Sequence, residues 1–305
     1  MSNINSLTQQ FAVNGEVGFR EIPGGLTVVD VRNKSATASI VMQGAHLTDW
    51  TPLGGKPVIW LSPDAKFAAG KSIRGGVPVC WPWFGPHEMK KEFPAHGYAR
   101  TVAWDLISVT PAVNGDATRL VFRLCEDDKT RAMWLHACTL EMHYNIGKTL
   151  DIDLVTHNQS KQTITIGQAL HTYFAVGDLR QVKISGLDAC PYLDKVDGFK
   201  RKTQSGDIAI ADEVDRIYLQ STADCLIKDA SLHRTIRIAK SGSHSTIVWS
   251  PWAEKAKQMG DLGVDGHLHM VCVESANAAD DVVQVAANST CRLQVCYSVE
   301  SLSLI

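Results

Sequence analysis

Apolar residues alternate with polar ones over many short stretches of the chain, and this period of two constrains the fold more than any other feature. Side chains along a β-strand point to opposite faces in turn, so such alternation predicts strands with one packed face and one wetter face. The pattern occurs at residues 26–31, 38–42, 119–124, 139–144, 149–155, 163–166, 235–238 and 292–297. The chain is therefore predicted to be rich in β-structure.

Turn residues separate these stretches, and helical signals are sparse. Glycine, asparagine and proline mark turns at residues 14–15, 23–25, 53–55, 114–116, 145–147 and 241–243. The turn at 145–147 joins two alternating stretches and predicts a β-hairpin, while residues 251–259 predict one short helix that begins at a proline. Because strands do not alternate with long amphipathic helices, we expect an antiparallel β-sandwich, formed as one domain over residues 1–305.

Charge and cysteine content exclude several classes of protein. The 305 residues carry a net charge of −2, which lacks the basic excess that nucleic-acid binding requires. The eight cysteines form no C-x-x-C pair and lie mostly in apolar stretches, which is typical of free thiols in a reducing compartment. No secretory leader or bilayer-spanning apolar run is visible. We expect a cytoplasmic protein, monomeric and without nucleic-acid or membrane partners.

Residues 70–100 break the strand pattern. Glycines and prolines fix an irregular path there, and three aromatic residues, Trp81, Trp83 and Phe84, follow one another closely. Aromatic rings in such a loop need either burial or a ligand on which to stack. Because a long irregular loop in a compact domain usually serves function, we expect this segment to contribute to a binding site.

Two arginines in this segment are candidates for binding an anion. Arg74 precedes two glycines, and Arg100 closes the stretch HGYAR. Guanidinium groups bind phosphate through two parallel hydrogen bonds, which a lysine ammonium does less specifically. The alternative is that each arginine pairs with a structural carboxylate, which is the more common role of such residues.

Two ionisable residues at the ends of apolar stretches are candidates for acid–base chemistry. His171 follows QAL, and Glu274 follows MVCV. A carboxylate flanked by valine and cysteine needs a partner or a raised pKa, because burying its charge is costly. A histidine and a glutamate form a workable general acid and base near neutral pH. The alternative is a hydrogen-bonded core histidine and a glutamate at the end of a loop.

Metal binding receives little support from the sequence. His267 and His269 would lie on one side of a strand, and His87 and His96 lie elsewhere. Zinc and iron sites combine such histidine pairs with a carboxylate, but the spacing is common and no third ligand is specified. We therefore expect no metal.

Taken together, these motifs resemble the glucose-6-phosphate 1-epimerases, which are the hexose-6-phosphate mutarotases of the aldose 1-epimerase superfamily. The most specific block is SIRGGVPVCWPWFG at residues 72–85, which is followed by PAHGYAR at 94–100. Further blocks match in the expected order over nearly the whole chain: LHTYF at 170–174, DRIY at 215–218, VWSPW at 248–252 and CVE at 272–274.

The resemblance implies a galactose-mutarotase-like antiparallel β-sandwich, or supersandwich, with few short helices and an open face that holds a sugar. It implies interconversion of the α and β anomers of a hexose 6-phosphate, first of all glucose 6-phosphate, without cofactor or metal. A neutral-sugar aldose 1-epimerase and a carbohydrate-binding sandwich without turnover are the alternatives.

The resemblance also implies which residues carry the chemistry. His171 would be the general acid that protonates the ring oxygen, and Glu274 would be the general base that takes the proton of the O1 hydroxyl. If Glu274 must be ionised and His171 protonated, kcat/KM is expected to follow a bell-shaped pH profile.

Substrate-binding roles follow from the same resemblance. Arg74 and Arg100 occupy positions that bind substrate, and His96 in the second block is a further contact. Asp215, which on its own reads as part of a solvated turn, matches the acidic residue that contacts the sugar. Some relatives have a glutamine that contacts the sugar immediately before the histidine equivalent to His96. This chain has Ala95 there, so that sugar contact is missing or replaced.

Overall fold

The computed structural model of the chain describes residues 4–112 and 117–302 and shows an antiparallel β-sandwich. The turn predicted at residues 114–116 lies outside the described residues. The strands, in chain order, are β1 (Val17–Ile22), β2 (Leu26–Arg32), β3 (Ala36–Val41), β4 (His46–Pro52), β5 (Val79–Cys80), β6 (Asp105–Thr110), β7 (Thr118–Cys125), β8 (Cys138–Ile146), β9 (Leu150–Asn158), β10 (Ile164–Ile166), β11 (Gln168–Leu170), β12 (Tyr173–Ala175), β13 (Val182–Ser185), β14 (Pro191–Asp194), β15 (Lys200–Thr203), β16 (Ile208–Ala209), β17 (Val214–Tyr218), β18 (Cys225–Asp229), β19 (Arg234–Ser241), β20 (Ser245–Ser250), β21 (Met270–Asn277), β22 (Val283–Val285) and β23 (Thr290–Ser301).

Two large sheets dominate this fold. The nine-stranded sheet has the order β16-β13-β18-β19-β23-β9-β8-β7-β6. The eight-stranded sheet has the order β15-β14-β17-β20-β21-β11-β5, and β12 also pairs with β21. A four-stranded sheet follows chain order from β1 to β4, and β10 pairs with β22. The predicted all-β, antiparallel architecture is confirmed.

Alternating burial in the nine-stranded sheet explains the period of two in the sequence. In β8, Leu140, Met142 and Tyr144 are buried, while Glu141 and His143 between them are more accessible. Each predicted stretch overlaps a strand. The predicted hairpin is confirmed, because β8 and β9 pair along their whole lengths. Its turn lies at residues 147–149 and not at 145–147, since Asn145 and Ile146 are still paired with β9.

The inner face of the eight-stranded sheet packs against the nine-stranded sheet and forms the main core. The ring of Phe174 lies edge-on against that of Tyr297, with 5.0 Å between their centroids. On the same face, Thr172 Oγ1 and the Tyr297 hydroxyl are 2.7 Å apart and share a hydrogen bond. These contacts fix β12 over β23, so the opposite face of β12 points away from the core.

The outer face of the eight-stranded sheet is also covered, by a second apolar cluster. Ala169, Trp249 and Cys272 belong to this cluster, and Trp60 and Leu262 cover it from outside the sheet. Every residue of β20 and β21 is therefore buried. Strands covered on both faces do not alternate in sequence, which is why these two strands show no period of two.

Helices are short and few in the described residues. The α-helices are α1 (Ile4–Phe11), α2 (Asp128–Met133) and α3 (Trp252–Met259), and 3₁₀ helices cover Ala99–Thr101, Leu179–Gln181, Gly266–Leu268 and Ala279–Asp281. The helix predicted at residues 251–259 is confirmed as α3, which follows Pro251 and ends at Gly260 in the left-handed conformation. With no described helix longer than eight residues, none could cross a membrane.

The irregular segment is held in place by close backbone contacts that require glycine. Gly76 has a φ of 71°, and a Cβ atom there would lie 2.3 Å from His46 Nε2. Gly97 has a φ of 72°, and a Cβ atom there would lie 1.9 Å from the carbonyl oxygen of Trp81. These approaches fix the path of the chain at Arg74 and at Arg100, as expected of a segment that shapes a site.

One local prediction is wrong. His267 and His269 do not lie on one side of a strand, because Gly266–Leu268 forms a 3₁₀ turn that the His269 N–H closes by donating to Gly266 O. His269 Nδ1 hydrogen-bonds the carbonyl oxygen of Gly177, and the His267 ring packs edge-on against Trp252. The two imidazoles thus have separate partners, and the metal-ligand pair that the spacing suggested is not formed.

We expect Gly97→Ala to lower the free energy of unfolding far more than Gly54→Ala. Both glycines have the same left-handed φ, near 72°, but a Cβ atom at Gly54 would meet nothing within 4 Å. Gly54→Ala should therefore cost only the conformational strain of about 1–2 kcal/mol, and Gly97→Ala should cost roughly 2 kcal/mol more because it also clashes. Urea denaturation measures both, and equal losses would contradict the close contact at Trp81.

Candidate active site

Strand register brings His171 and Glu274 together on the outer face of the eight-stranded sheet. Leu170 of β11 pairs with Ser275 of β21, and Tyr173 of β12 pairs with Cys272 of the same strand. The intervening residues keep this register, so His171 lies across from Glu274 although the two are far apart in the sequence.

The two side chains are in contact and almost fully buried. His171 Nε2 lies 3.4 Å from Glu274 Oε1, and the side chains are 13% and 1% exposed respectively. His171 Nδ1 and Glu274 Oε2 are buried and have no hydrogen-bond partner among the described residues. Buried polar atoms without partners are rare in folded proteins, so these atoms mark a place where a ligand can bind.

Burial shifts the pKa values of both groups toward their neutral forms. Burial, reinforced by the negative charge of Asp215, raises the pKa of Glu274 well above its ordinary value, although nearby cations act in the opposite direction. Burial, followed by electrostatic effects of the neighbouring His96 and Arg100, lowers the pKa of His171 well below its ordinary value. Both shifts favour a neutral pair with the proton on the carboxyl group, which is the reverse of the ionised pair expected from the assigned roles.

Aromatic and other apolar side chains surround the pair. The Tyr173 ring stacks on the His171 imidazole with 5.0 Å between centroids and 14° between planes. Trp249 meets both rings edge-on, at 5.9 Å from each. Ile247 lies next to Glu274 on the neighbouring strand and belongs to the same apolar cluster. This low-polarity floor is the physical cause of the raised carboxyl pKa.

Arg74 reaches this floor from the irregular segment. Its Nε donates to Asp261 Oδ1 over 3.0 Å, and its Nη1 donates to the Tyr173 hydroxyl over 3.0 Å. Although burial acts against it, these two neighbours raise the pKa of Arg74, so the guanidinium stays charged. The structural ion pair considered from the sequence is thus present, and the same side chain also contacts a ring of the site.

Arg100 approaches the pair from the other part of the segment. Its Nη2 donates to the carbonyl oxygen of Ala95 over 2.9 Å, and Arg100 makes no ion pair within the described part of the chain. His96 lies edge-on to His171 with ring centroids 6.0 Å apart. Burial, followed by the charge of Arg100, lowers the pKa of His96 to about 3, so this imidazole is neutral.

Asp215 lies on β17 and not in a solvated turn. Its strand pairs with β20 so that Asp215 lies opposite Trp249, which in turn lies opposite Cys272. The side chain therefore shares the face that holds Glu274. Asp215 Oδ2 is 2.7 Å from Lys195 Nζ, and this ion pair is partly accessible. The structure thus brings the sequence-predicted residues Arg74, His96, Arg100, His171, Asp215 and Glu274 to one region.

Sequence reasoning missed several residues of this region. Tyr173 and Cys272 lie two positions from His171 and Glu274 respectively, so strand alternation would have placed them on the same face as the pair. Trp249 lies in the VWSPW block, where nothing in the local sequence marks its ring as part of the site. Lys195 had no signal at all, because it follows β14 in a turn and meets Asp215 only through the sheet.

A buried thiol completes a possible donor set for a metal ion. One ligand atom each from His171, Cys272 and Glu274 lies within 4.8 Å of the other two. Burial raises the pKa of Cys272 well above its ordinary value, and burial also raises that of Glu274. Metals bind the deprotonated forms of these groups, so a metal would have to displace both protons, whereas an acid and a base in contact can move protons on a bound substrate.

Comparison with known proteins points to one family. The family model described as aldose 1-epimerase matches residues 27–298. A protein of Escherichia coli K12, provisionally named glucose-6-phosphate 1-epimerase, is 40% identical over 256 residues, which is 84% of each chain. A protein of Cenchrus ciliaris with the same provisional name is 33% identical over 266 residues, covering 83% of this chain and 79% of its own.

A solved structure extends the comparison to the fold. The crystal structure of a protein from Salmonella typhimurium, provisionally described as a mutarotase, is 34% identical and superposes with a TM-score of 0.89. The match covers 95% of this chain and 96% of the other. The prediction of a galactose-mutarotase-like sandwich is confirmed by this similarity.

We expect Glu274→Gln to stabilise the protein more at pH 8 than at pH 5. The pKa of Glu274 is raised from an ordinary value of 4.5, so the unfolded chain loses this proton first and the wild type loses stability as pH rises above that value. The substitution removes this loss. Urea denaturation across this pH range measures the difference.

Glu141→Gln provides a control of opposite sign. Although burial opposes it, hydrogen bonds from His143 and Arg123 lower the pKa of Glu141 below 4.5. The native carboxylate therefore adds stability above that pH, and its removal should destabilise the protein more at pH 8 than at pH 3. A Glu274→Gln variant that followed the trend of Glu141→Gln would contradict the burial effect.

Proposed function

The chain belongs to the aldose 1-epimerase family, and from this premise we propose that it interconverts the α and β anomers of a hexose 6-phosphate, first of all glucose 6-phosphate. The observation that carries the proposal is the contact of His171 with Glu274 on an apolar sheet face that also receives Arg74 and Arg100. An acid and a base in one place, with cations beside them, suit the hemiacetal and the phosphate of one substrate.

In the proposed reaction, two proton transfers open the sugar ring. The Glu274 carboxylate takes the proton of the O1 hydroxyl, and the C1–O1 double bond forms. The C1–O5 bond breaks with its electron pair on O5, which takes a proton from the His171 imidazolium. The C1–C2 bond then rotates, and the reverse transfers close the ring on the other face of C1.

The neutral state of the pair corresponds to the open-chain stage of this cycle. Once O5 has been protonated, Glu274 is a neutral carboxylic acid and His171 is a neutral imidazole. Burial favours this distribution, as the shifted pKa values of the two groups indicate. The same apolar surroundings therefore favour the neutral pair, which ring opening forms, over the ionised pair that precedes it. On ring closure Glu274 returns a proton to O1 and O5 returns one to His171, so the pair regains its starting state.

Substrate binding positions the hemiacetal against this pair. Arg100, which has no carboxylate partner among the described side chains, is the stronger candidate for the phosphate, and Arg74 is the second. Asp215 accepts hydrogen bonds from sugar hydroxyls in this proposal, and His96 borders the same space. These contacts form no bonds with reacting atoms, and they act by holding C1 in register with His171 and Glu274.

We further propose that residues 1–305 act as one domain in the cytoplasm. All eight cysteines are free, and four of them are buried in the structure, which suits a reducing compartment. That the chain is a monomer stays a prediction.

Anomer exchange of glucose 6-phosphate, followed by NMR magnetisation transfer with the purified protein, tests the proposed reaction. We expect acceleration over buffer and a loss of roughly 10²–10⁴-fold in Glu274→Gln, because a positioned base typically contributes this much. Glu141→Gln on the other sheet is the matched control and should keep full activity. No acceleration by the wild type, or full activity in Glu274→Gln, would refute the proposal.

Arginine substitutions distinguish a sugar phosphate from a neutral sugar as the substrate. Arg100→Ala should raise KM for glucose 6-phosphate by roughly 10- to 100-fold, because it removes a charged hydrogen bond to phosphate. Arg74→Ala should have a smaller effect on KM, since Asp261 already neutralises part of the Arg74 charge. Both variants should handle glucose like the wild type. If KM changed equally for both sugars, the neutral-sugar alternative would be favoured.

A further inference from the structure

Among the described residues, no hydrogen bond to another residue fixes the plane of the His171 ring. Its Nδ1 is buried without a partner among the described residues, and its Nε2 lies 3.4 Å from Glu274 Oε1. An imidazole that transfers protons usually has its orientation set by a hydrogen bond on the other nitrogen. Another interaction must therefore hold this ring against rotation about its side-chain bonds.

Ring contacts supply that orientation. Tyr173 stacks nearly parallel to the imidazole, at 5.0 Å and 14°. Trp60 stacks on Tyr173, with centroids 5.9 Å apart and planes at 20°, so the tyrosine ring is itself fixed. Trp249 closes one side by meeting His171 edge-on. Tyr173 has the most coplanar of the ring contacts to the imidazole.

The hydroxyl of the same tyrosine reaches Arg74, the second of the two arginines that we assign to the substrate. It accepts a hydrogen bond from Arg74 Nη1 over 3.0 Å. Burial raises the pKa of Tyr173, so the phenol keeps its proton. Asp261 holds Arg74 through its Nε, so the guanidinium is fixed at two of its nitrogens. One side chain thus contacts both the acid–base pair and an anion-binding residue.

We infer that Tyr173 is a positioning residue that aligns the His171 imidazole with the Arg74 guanidinium, an inference that rests on the proposed function. Its ring sets the plane of the acid, and its hydroxyl sets the distance from that ring to the substrate anion. Displacing a reacting group by about 1 Å can cost roughly a hundredfold in rate. The two halves of the tyrosine should therefore affect two different kinetic constants.

Two substitutions separate the ring from the hydroxyl. Tyr173→Phe keeps the stack and loses the contact with Arg74, so KM for glucose 6-phosphate should rise about fivefold with kcat unchanged. Tyr173→Leu loses the stack as well, so kcat should fall by roughly 10²-fold. Adding Arg74→Ala to Tyr173→Phe should raise KM little beyond Arg74→Ala alone, because both remove one interaction. Fully additive effects would overturn the inference.

Tyr297→Phe is the matched control for a buried hydroxyl, because Tyr297 lies on β23 of the nine-stranded sheet and packs against the opposite face of β12. It loses only the hydrogen bond with Thr172 and should leave both kinetic constants unchanged. If Tyr297→Phe changed KM as much as Tyr173→Phe does, the effect would be a general one of losing a buried hydroxyl beside β12, and the inference would be wrong.

NMR of the His171 ring nitrogens in the whole protein tests the inference without relying on activity. The other titratable and charged groups near this ring are Glu274, Cys272, His96, Arg100 and Arg74, and all of them remain in Tyr173→Leu. We expect this variant to broaden or shift the ring signals, and Tyr173→Phe to leave them near the wild type. Unchanged signals in Tyr173→Leu would overturn the inference. If Tyr173→Leu shifted the signals but the wild type showed no anomer exchange, only the proposed function would be refuted.

Discussion

A carboxyl group buried opposite an imidazole on an apolar sheet face is the constraint on which the rest of the site depends. Burying an ionised glutamate without compensation is costly, and Glu274 lies in a strand whose every residue is buried. Burial favours the protonated carboxyl group, which avoids this cost. The cations Lys195 and Arg100 act on Glu274 in the opposite direction without outweighing the burial. Burial therefore favours the neutral proton arrangement of the pair over the ionised one.

Much of the fold could be predicted because one physical rule covers it. In the nine-stranded sheet one face packs and the other is wetter, so the alternation of Leu140, Met142 and Tyr144 with polar residues follows directly. The rule fails where both faces are covered, as in β20 and β21. It also fails at His267 and His269, where a 3₁₀ turn replaces the strand because the loop doubles back at Gly266.

The ionisable residues of the candidate site could be predicted from the sequence, but the residues that position them were harder to predict. His171 and Glu274 stand out because charges at the ends of apolar stretches require an explanation. Tyr173 is next to them in the strand pattern, but an aromatic ring between apolar residues looks like ordinary core. Lys195 meets Asp215 only after β14 and β17 have paired, so that ion pair depends on sheet order, which local sequence does not encode.

Arg100 is anchored by the carbonyl oxygen of Ala95, an atom that every amino acid supplies at that position. A different side chain at residue 95 would leave this anchor in place, while it would change the partly open surface beside His96. Substitutions at residue 95 during evolution could thus change the preference among sugars while the Arg100 guanidinium stays in place. Because Arg100 is anchored by the backbone, binding of the anion and preference among sugars can change independently within one loop.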